Sequence, residues 1–465
     1  MNVGIIDAEI VGKNKHRFPN LVCMKLSNYF KQQGHIVKLL TNYDDIDNYD
    51  KVFISKVFIK TELPFEREDK TLKTEDGVVE YYKDHPILSK PNVEYGGTGF
   101  YYDKSPRLEY DIEHTMPDYH LYDEWVDECI KNGAKEKEFT YYRDYSIGFL
   151  TRGCFRQCQF CVNRNYKKCQ VHSNIKEFMD ESRPKLCFLD DNFLACPNWK
   201  EIIEEVKSTG KKFQFKQGMD ERLLTSDKIK EISNWKYDGD LIFAFDNIAD
   251  KDLIISKLNM IYETNPDFNK QMKFYVFCGF DRENKYDEEF WINDIRNTLL
   301  RCQILSKYSA YPYIMRHQNS YTSPYKAVYT LLASWTNQQR LFVYKSFKEH
   351  CMCFNNGFET YYSFDIDDKK ELTEFIPSKY AQYGKWTRHP KEDEKNRKLQ
   401  ELLNIDKYKI NYLIENEIWL TYKDLCKHLN IPHYSGGTKQ QQINLFNELY
   451  KVEKNGKEYL IKGYK

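Results

Sequence analysis

Three cysteines fall within eight residues in the run Thr151-Arg152-Gly153-Cys154-Phe155-Arg156-Gln157-Cys158-Gln159-Phe160-Cys161. A loop this short can bring three thiolates to three irons of a [4Fe–4S] cube and leave the fourth iron without a protein ligand. An iron left open in that way can coordinate a substrate or cofactor, as the open position of a catalytic metal does. The same residues also admit a tetrahedral zinc site with Cys169 or His172 as fourth ligand, or plain burial as small hydrophobes. Zinc sites usually pair two C-x2-C knuckles, whereas here Cys158 and Cys161 form a single one. The loop has too little apolar surrounding to demand burial of three thiols.

The elements that must position this loop read as α/β. An apolar run at 146–150 precedes it, and five more follow at 186–189, 213–215, 241–245, 274–277 and 311–315. Amphipathic segments such as 199–207, 226–234 and 288–305 lie between them, a pattern that predicts a complete or partial α/β barrel. Several of the runs end in polar residues: Asp190-Asp191-Asn192, Gln217 to Arg222 with Asp220 inside it, Asp246-Asn247, Gly279-Phe280-Asp281 and Arg316-His317. In such barrels the side chains at strand C-termini converge on the active face. For any one of these residues a helix cap or a surface charge is an equally ordinary role.

Cys154-x-x-x-Cys158-x-Phe160-Cys161 resembles the cluster loop of the radical S-adenosylmethionine (SAM) superfamily, including the aromatic residue before the last cysteine. The resemblance implies a partial (βα)6 barrel that binds one [4Fe–4S] cluster through Cys154, Cys158 and Cys161. It implies that SAM chelates the open iron and that Phe160 lies near the adenine. An external one-electron reductant of flavodoxin or ferredoxin type would then split SAM into methionine and a 5′-deoxyadenosyl radical that abstracts hydrogen from a substrate. Where the family often holds the SAM amino group with a Gly-Gly-Glu-type segment, this chain has Asp190, Asp191 and Asn192. Gln217, Asp220, Arg222, Asp246 and Asn247 are candidates for contacts to the SAM carboxylate, its ribose or the substrate.

The run Gln217-Gly-Met-Asp-Glu-Arg-Leu-Leu-Thr is similar to segments of radical SAM barrels that carry an N-terminal cobalamin-type domain. Asp7-Ala-Glu9-Ile-Val-Gly12-Lys-Asn14 resembles the loop with which such domains offer an axial histidine, but Glu9 stands at the histidine position. His16 is a nearby substitute, and Gly96-Gly97 matches the glycine pair placed against the corrin tail. Bound cobalamin would make a radical methyltransferase the natural reaction.

The first sixty residues fit a Rossmann-like start: a strand at Val3-Gly4-Ile5-Ile6, a helix capped by Asn20, and further strands at 35–40 and 51–56. Strand, helix, strand at this spacing predicts parallel pairing. The stretch 60–140 is less regular. A charged linker occupies 376–404, and the last sixty residues read as helix, turn, helix and hairpin, with Asn455-Gly456 as the turn. That is the order of a winged helix, which most often sets its second helix against nucleic acid. Lys439, Lys451, Lys454, Lys457 and Lys462 would meet phosphates, and Gln440, Gln441 and Gln442 would meet base edges. From 405 to 465 ten lysines face seven acids, although the whole chain balances 70 against 70.

The expected layout is α/β: a Rossmann-like domain over 1–140, a radical SAM partial barrel over 141–350, a helical extension and linker over 351–404, and a winged-helix-like domain over 405–465. No apolar run approaches the ~18–20 residues of a membrane span. Thirteen scattered cysteines with an opening that reads as a strand point to the reducing cytoplasm rather than to a disulfide framework. Alongside the radical enzyme and the cobalamin-dependent methyltransferase stands a reading from another class, a non-catalytic Fe–S or zinc nucleic-acid-binding regulator.

Overall fold

The computed structural model describes residues 1–11, 16–164, 166–386 and 405–465. It divides into two compact units, Met1–Phe243 and Ala244–Lys465. Both are mixed α/β, and the largest sheet, of four strands, is parallel.

In the first unit β1 (Asn2–Asp7), β2 (Ile36–Leu39), β3 (Lys51–Ser55) and β4 (Val93–Gly96) form a parallel sheet in the order β2-β1-β3-β4. Ile5 is in register with Leu39 on one side and Phe53 on the other. The helix Leu21–Gln32 joins the first two strands. The Asn20 side chain caps it by accepting from the Val22 and Cys23 amides, and the Cys23, Met24, Leu26 and Phe30 face is buried. β4 lies inside the stretch that the sequence leaves irregular, and pairing with β3 is what makes it a strand.

Ahead of the cysteine loop come β5 (Tyr145–Gly148) and β6 (Thr151–Arg152), and after it β7 (Gln170–Val171), which pairs antiparallel with β6, then β8 (Lys185–Phe188) and β9 (Lys212–Phe215). β5, β8 and β9 make a second parallel sheet with β8 at its centre. Val3, Ile5, Phe53, Tyr122 and Trp125 pack in one cluster that Phe149 and Leu189 join, while Tyr145, Ile147 and Cys187 of the second sheet form another. β10 (Leu241–Ala244) begins in this unit, and its last residue opens the next.

In the second unit β11 (Met272–Cys278) and β12 (Tyr311–Arg316) pair in parallel, with the helix Glu288–Lys307 between them in the chain. Arg301 on that helix is 2% exposed and donates through Nη1 to the carbonyls of Phe245, Asp246 and Phe277. A buried guanidinium thus fixes the backbone past the strand ends. Asp246 also accepts from the Phe277 amide, and Asn247 caps the following turn at the Ala249 amide.

The end of this unit holds the helices Lys407–Glu415, Tyr422–Leu429 and Gly436–Leu449 and the strands β13 (Leu420–Thr421), β14 (Tyr450–Asn455) and β15 (Glu458–Tyr464), in the antiparallel order β13-β15-β14. Ile410, Leu413, Leu425, Phe446 and Ile461 share its core. The glutamine reading needs correction here. Gln441 and Gln442 are buried, and Gln442 accepts from the Tyr422 hydroxyl and donates to the Pro432 carbonyl at 3.0 Å. Asn444 on the same helix donates to the Met352 and Phe354 carbonyls at 2.8 and 3.1 Å, and Glu448 takes Lys348 and the Tyr362 hydroxyl. The helix face expected to read bases is spent on packing within the unit.

No helix among the described residues is long and apolar enough to cross a membrane. Cys23, Cys187, Cys278 and Cys302 are buried, as small hydrophobes should be.

Candidate functional site

Gly153 starts the cysteine loop at φ +100°, and a Cβ there would sit 2.0 Å from the Lys168 carbonyl oxygen. Only glycine lets the strand exit turn this tightly. The Cys154 amide then donates to the Tyr166 carbonyl at 3.1 Å, which closes the loop at its base, and the Cys161 amide turns back to the Cys158 carbonyl at 3.0 Å. Gln157 holds φ +50° between the first two cysteines, and its side chain donates to the Cys154 carbonyl.

All three cysteines are half-buried, unlike the eight fully buried thiols elsewhere in the chain. Amides point at two of the sulfurs. Arg156 N–H and Asn192 Nδ2 donate to Cys154 Sγ at 3.5 and 3.4 Å, and Asn163 N–H donates to Cys161 Sγ at 3.4 Å. Burial pushes the Cys161 thiol up against the pull of that Asn163 amide, and the neighbouring Asp191 and Cys154 add to the rise. A metal centre binding here therefore releases protons as the thiols ionise. Part-exposed sulfurs served by N–H donors are a donor set that fits an iron–sulfur cluster, whose sulfur ligands are commonly hydrogen-bonded.

The two alternative fourth ligands of a zinc site are engaged elsewhere. Cys169 Sγ donates to the Asn192 carbonyl at 3.3 Å, and burial raises its thiol to about 12. His172 pairs through Nδ1 with the Ser173 hydroxyl and lies 3.7 Å from Glu113, and burial lowers it to about 4. Among the described residues no three His, Cys, Asp or Glu side chains converge as ligands of a single ion.

The segment after β8 divides its work. Asp190, 3% exposed, accepts from the Leu150 and Thr151 amides and from the Thr151 hydroxyl, so it ties β8 to the strand exit ahead of the loop. Burial raises its carboxyl to about 7 against those three donors. Asp191 accepts from the Gly153 amide at 2.7 Å and from Asn163 Nδ2 at 2.6 Å, with Arg152 Nε 3.6 Å away. Asn192 places Nδ2 on Cys154 while its Oδ1 is buried without a partner among the described residues. After β9, Asp220 is bridged by Arg156 Nε and Arg222 Nε, each at 2.6 Å, which makes it a brace for the loop. The Phe160 carbonyl accepts from the Tyr102 hydroxyl at 2.9 Å. Asp246 belongs to the second unit and its contacts there are given above.

A cavity of about 510 Å³ opens against the loop within the first unit. Asp7 at the end of β1, Ser55 at the end of β3, Gly97 past β4, Leu189 past β8, and Lys216 and Gln217 past β9 all line it. The C-terminal ends of both parallel sheets thus face one space, and Arg152, Asn163 and Tyr166 form its wall on the cysteine side. The Arg152 guanidinium lies 4.0 Å from the Phe149 ring centre and 4.8 Å from that of Tyr166. Nothing in the sequence pattern marks Arg152, Arg156 and Asn163 as site residues except their places beside the cysteines, which are a usable signal.

Glu9 also lines the cavity, but not as an open ligand. Its Oε1 accepts from the Val57 and Phe58 amides at 2.8 and 3.0 Å, and Oε2 accepts from the Thr61 hydroxyl. Gly12, Lys13 and Asn14 of the same motif lie outside the described residues. His16 holds the Phe18 carbonyl through Nδ1 and packs edge-on against Phe58. Gly97 has φ +109°, with space for a Cβ denied by the Lys56 carbonyl oxygen at 2.2 Å. A cobalamin ligated axially through position 9 does not fit this arrangement.

No protein-family description matches the chain, and no curated protein does either. Among solved structures it is similar to the cobalamin-dependent S-adenosylmethionine radical enzyme OxsB with aqua-cobalamin and S-adenosylmethionine bound, at 12% identity and a TM-score of 0.30. That match covers 68% of this chain and 49% of OxsB, so the chain spans about half the length of the enzyme it matches. The same enzyme with aqua-cobalamin alone gives 14% identity and a TM-score of 0.29 over the same shares. Its apo form gives 13% and 0.30 over 96% of this chain and 71% of that one. A superposition this loose does not define a shared fold, and the function proposed below stands on the chain's own residues.

Proposed function

We propose that this chain is a radical SAM enzyme that holds a [4Fe–4S] cluster through Cys154, Cys158 and Cys161. The observation that carries the reading is the loop itself: three half-buried thiols follow a parallel strand, two of them receive N–H donors, and the neighbouring Arg152 and Asn163 line a cavity faced by strand C-termini. When bound, the cluster supplies the electron that cleaves SAM to a 5′-deoxyadenosyl radical.

The protein's own contribution is to fix and shield that site. Asp190, Asp191 and Asp220 hold the loop through Thr151, Gly153, Asn163 and Arg156. With those carboxylates so engaged, the acceptor of the segment that we assign to a SAM ammonium is Asn192 Oδ1, buried and without a partner among the described residues. Phe160, Gln217, Arg222 and Asp246 remain proposed contacts to SAM or substrate. In this reading 1–140 is a Rossmann-like cover, 141–350 the partial barrel, 351–404 an extension and 405–465 a winged helix. An external reductant serves it in the cytoplasm.

Anaerobically reconstituted protein with dithionite and SAM should release 5′-deoxyadenosine, and Cys158→Ala should release none. Zinc in place of iron and sulfide on elemental analysis would sink the proposal. Iron and sulfide without 5′-deoxyadenosine would leave the non-catalytic regulator. A cobalamin-dependent methyltransferase is the second reading, favoured by the cavity at the ends of β1, β3 and β4. Without an axial ligand from Glu9 it requires a corrin bound with no protein ligand at that position, and corrin absorbance after reconstitution tests it. A nucleic-acid partner would meet the hairpin lysines Lys451, Lys454 and Lys457 rather than the buried glutamines. Its binding, followed by anisotropy of a labelled RNA, should weaken with added salt.

A further inference from the structure

We infer that Asn192 is a positioning residue that sets the reduction potential of the cluster through its hydrogen bond to Cys154 Sγ; the inference rests on the cluster reading above. The side chain is 2% exposed and sits 38 residues from Cys154 in the chain, with Nδ2 to Sγ at 3.4 Å. Its backbone is pinned on two sides. The Asn192 carbonyl accepts from the Ala195 amide at 3.0 Å, opening the turn Phe193–Ala195, and from Cys169 Sγ at 3.3 Å. The amide group is therefore aimed by its main chain, and packing alone does not call for a polar residue here.

The other end of the amide makes the same point. Oδ1 is buried, so the bond to Cys154 Sγ is the side chain's only protein hydrogen bond among the described residues, and Oδ1 is left for the SAM ammonium assigned to it above. The donors to Cys154 and Cys161 from Arg156 and Asn163 come from the backbone and persist through any substitution. Asn192 supplies the one side-chain donor among these three bonds. A hydrogen bond to a ligating sulfur draws electron density from it and favours the reduced cluster, raising the potential. SAM cleavage needs an electron from that cluster, so the bond tunes how readily the external reductant loads it.

The test is a potentiometric titration of the reconstituted cluster, followed by electron paramagnetic resonance, in wild type, Asn192→Leu and Asn192→Asp. Leucine keeps the volume without a donor, and aspartate keeps the shape while placing negative charge beside the sulfur. Both variants should carry the wild-type iron and sulfide content and show midpoints shifted to lower potential, aspartate further than leucine. A leucine variant with full iron and an unmoved midpoint overturns the inference and leaves the cluster reading intact. Wild-type protein labelled with ¹⁵N only in asparagine side-chain amides gives a second measurement that does not depend on a variant folding. Its reduced cluster should show a weak ¹⁵N coupling, and absence of the coupling counts against Asn192. Wild type that binds no iron and sulfide sinks the proposed function, and this inference with it.

Discussion

Lys56 has no exposure to water, yet its ammonium is held by the Ile59 and Gly99 carbonyls and the Tyr82 hydroxyl, over the Tyr82 ring. Burial pulls it down to about 7. Because its folded value lies below its unfolded one, the unfolded chain binds the extra proton between those values, and stability rises with pH across that window. Urea unfolding should therefore show wild type gaining about 2 kcal/mol more than Lys56→Met between pH 7 and pH 9, at ~1.4 kcal/mol per unit. Equal gains in the two proteins would mean that the lysine is not desolvated. The residue matters because its carbonyl and side chain form the seat of Gly97 and Gly99 at the cavity wall.

Elements were legible in proportion to how local their causes are. β1, β2 and β3 are short apolar runs flanked by a capped helix, and they appear where the sequence puts them. The cysteine loop is legible because spacing along a chain limits which atoms can meet. β4 is not, since Val93 and Tyr95 stand in a charged, aromatic stretch and become strand only through β3. Nor is the brace between Arg156 and Asp220, 64 residues apart, or the seat of the Phe160 carbonyl on Tyr102. The helix Gly436–Leu449 was placed by its pattern, but its buried amides depend on a segment some ninety residues earlier. Asn444→Leu removes both donors and leaves two carbonyls facing an apolar group, which should cost ~2 kcal/mol. Chemical denaturation of the full chain checks this, and a loss below ~0.5 kcal/mol would show that the helix does not depend on those bonds.

At the scale of the whole molecule, the thirteen cysteines sort by exposure. Cys129, Cys154, Cys158, Cys161 and Cys353 are half-buried and the other eight are buried. Apo protein should thus offer five fast-reacting thiols to a disulfide reagent and thirteen in denaturant, by the same classification. Reconstitution with iron and sulfide should reduce the fast set to Cys129 and Cys353. Five fast thiols after full iron loading would place the cluster elsewhere. The odd total of cysteines then needs no pairing scheme.

The Glu9 carboxylate has a consequence for anyone wishing to convert this chain. Its two oxygens hold the backbone of Val57 and Phe58 and the hydroxyl of Thr61 at the exit of β3. Writing histidine at position 9 would strand two amides that an imidazole cannot both satisfy, so the loop would have to be rebuilt together with the residue. The exchange is locked in place by its neighbours. A corrin-ligating version of this chain is therefore several coordinated substitutions away, and single-site engineering at position 9 should yield a weakened loop.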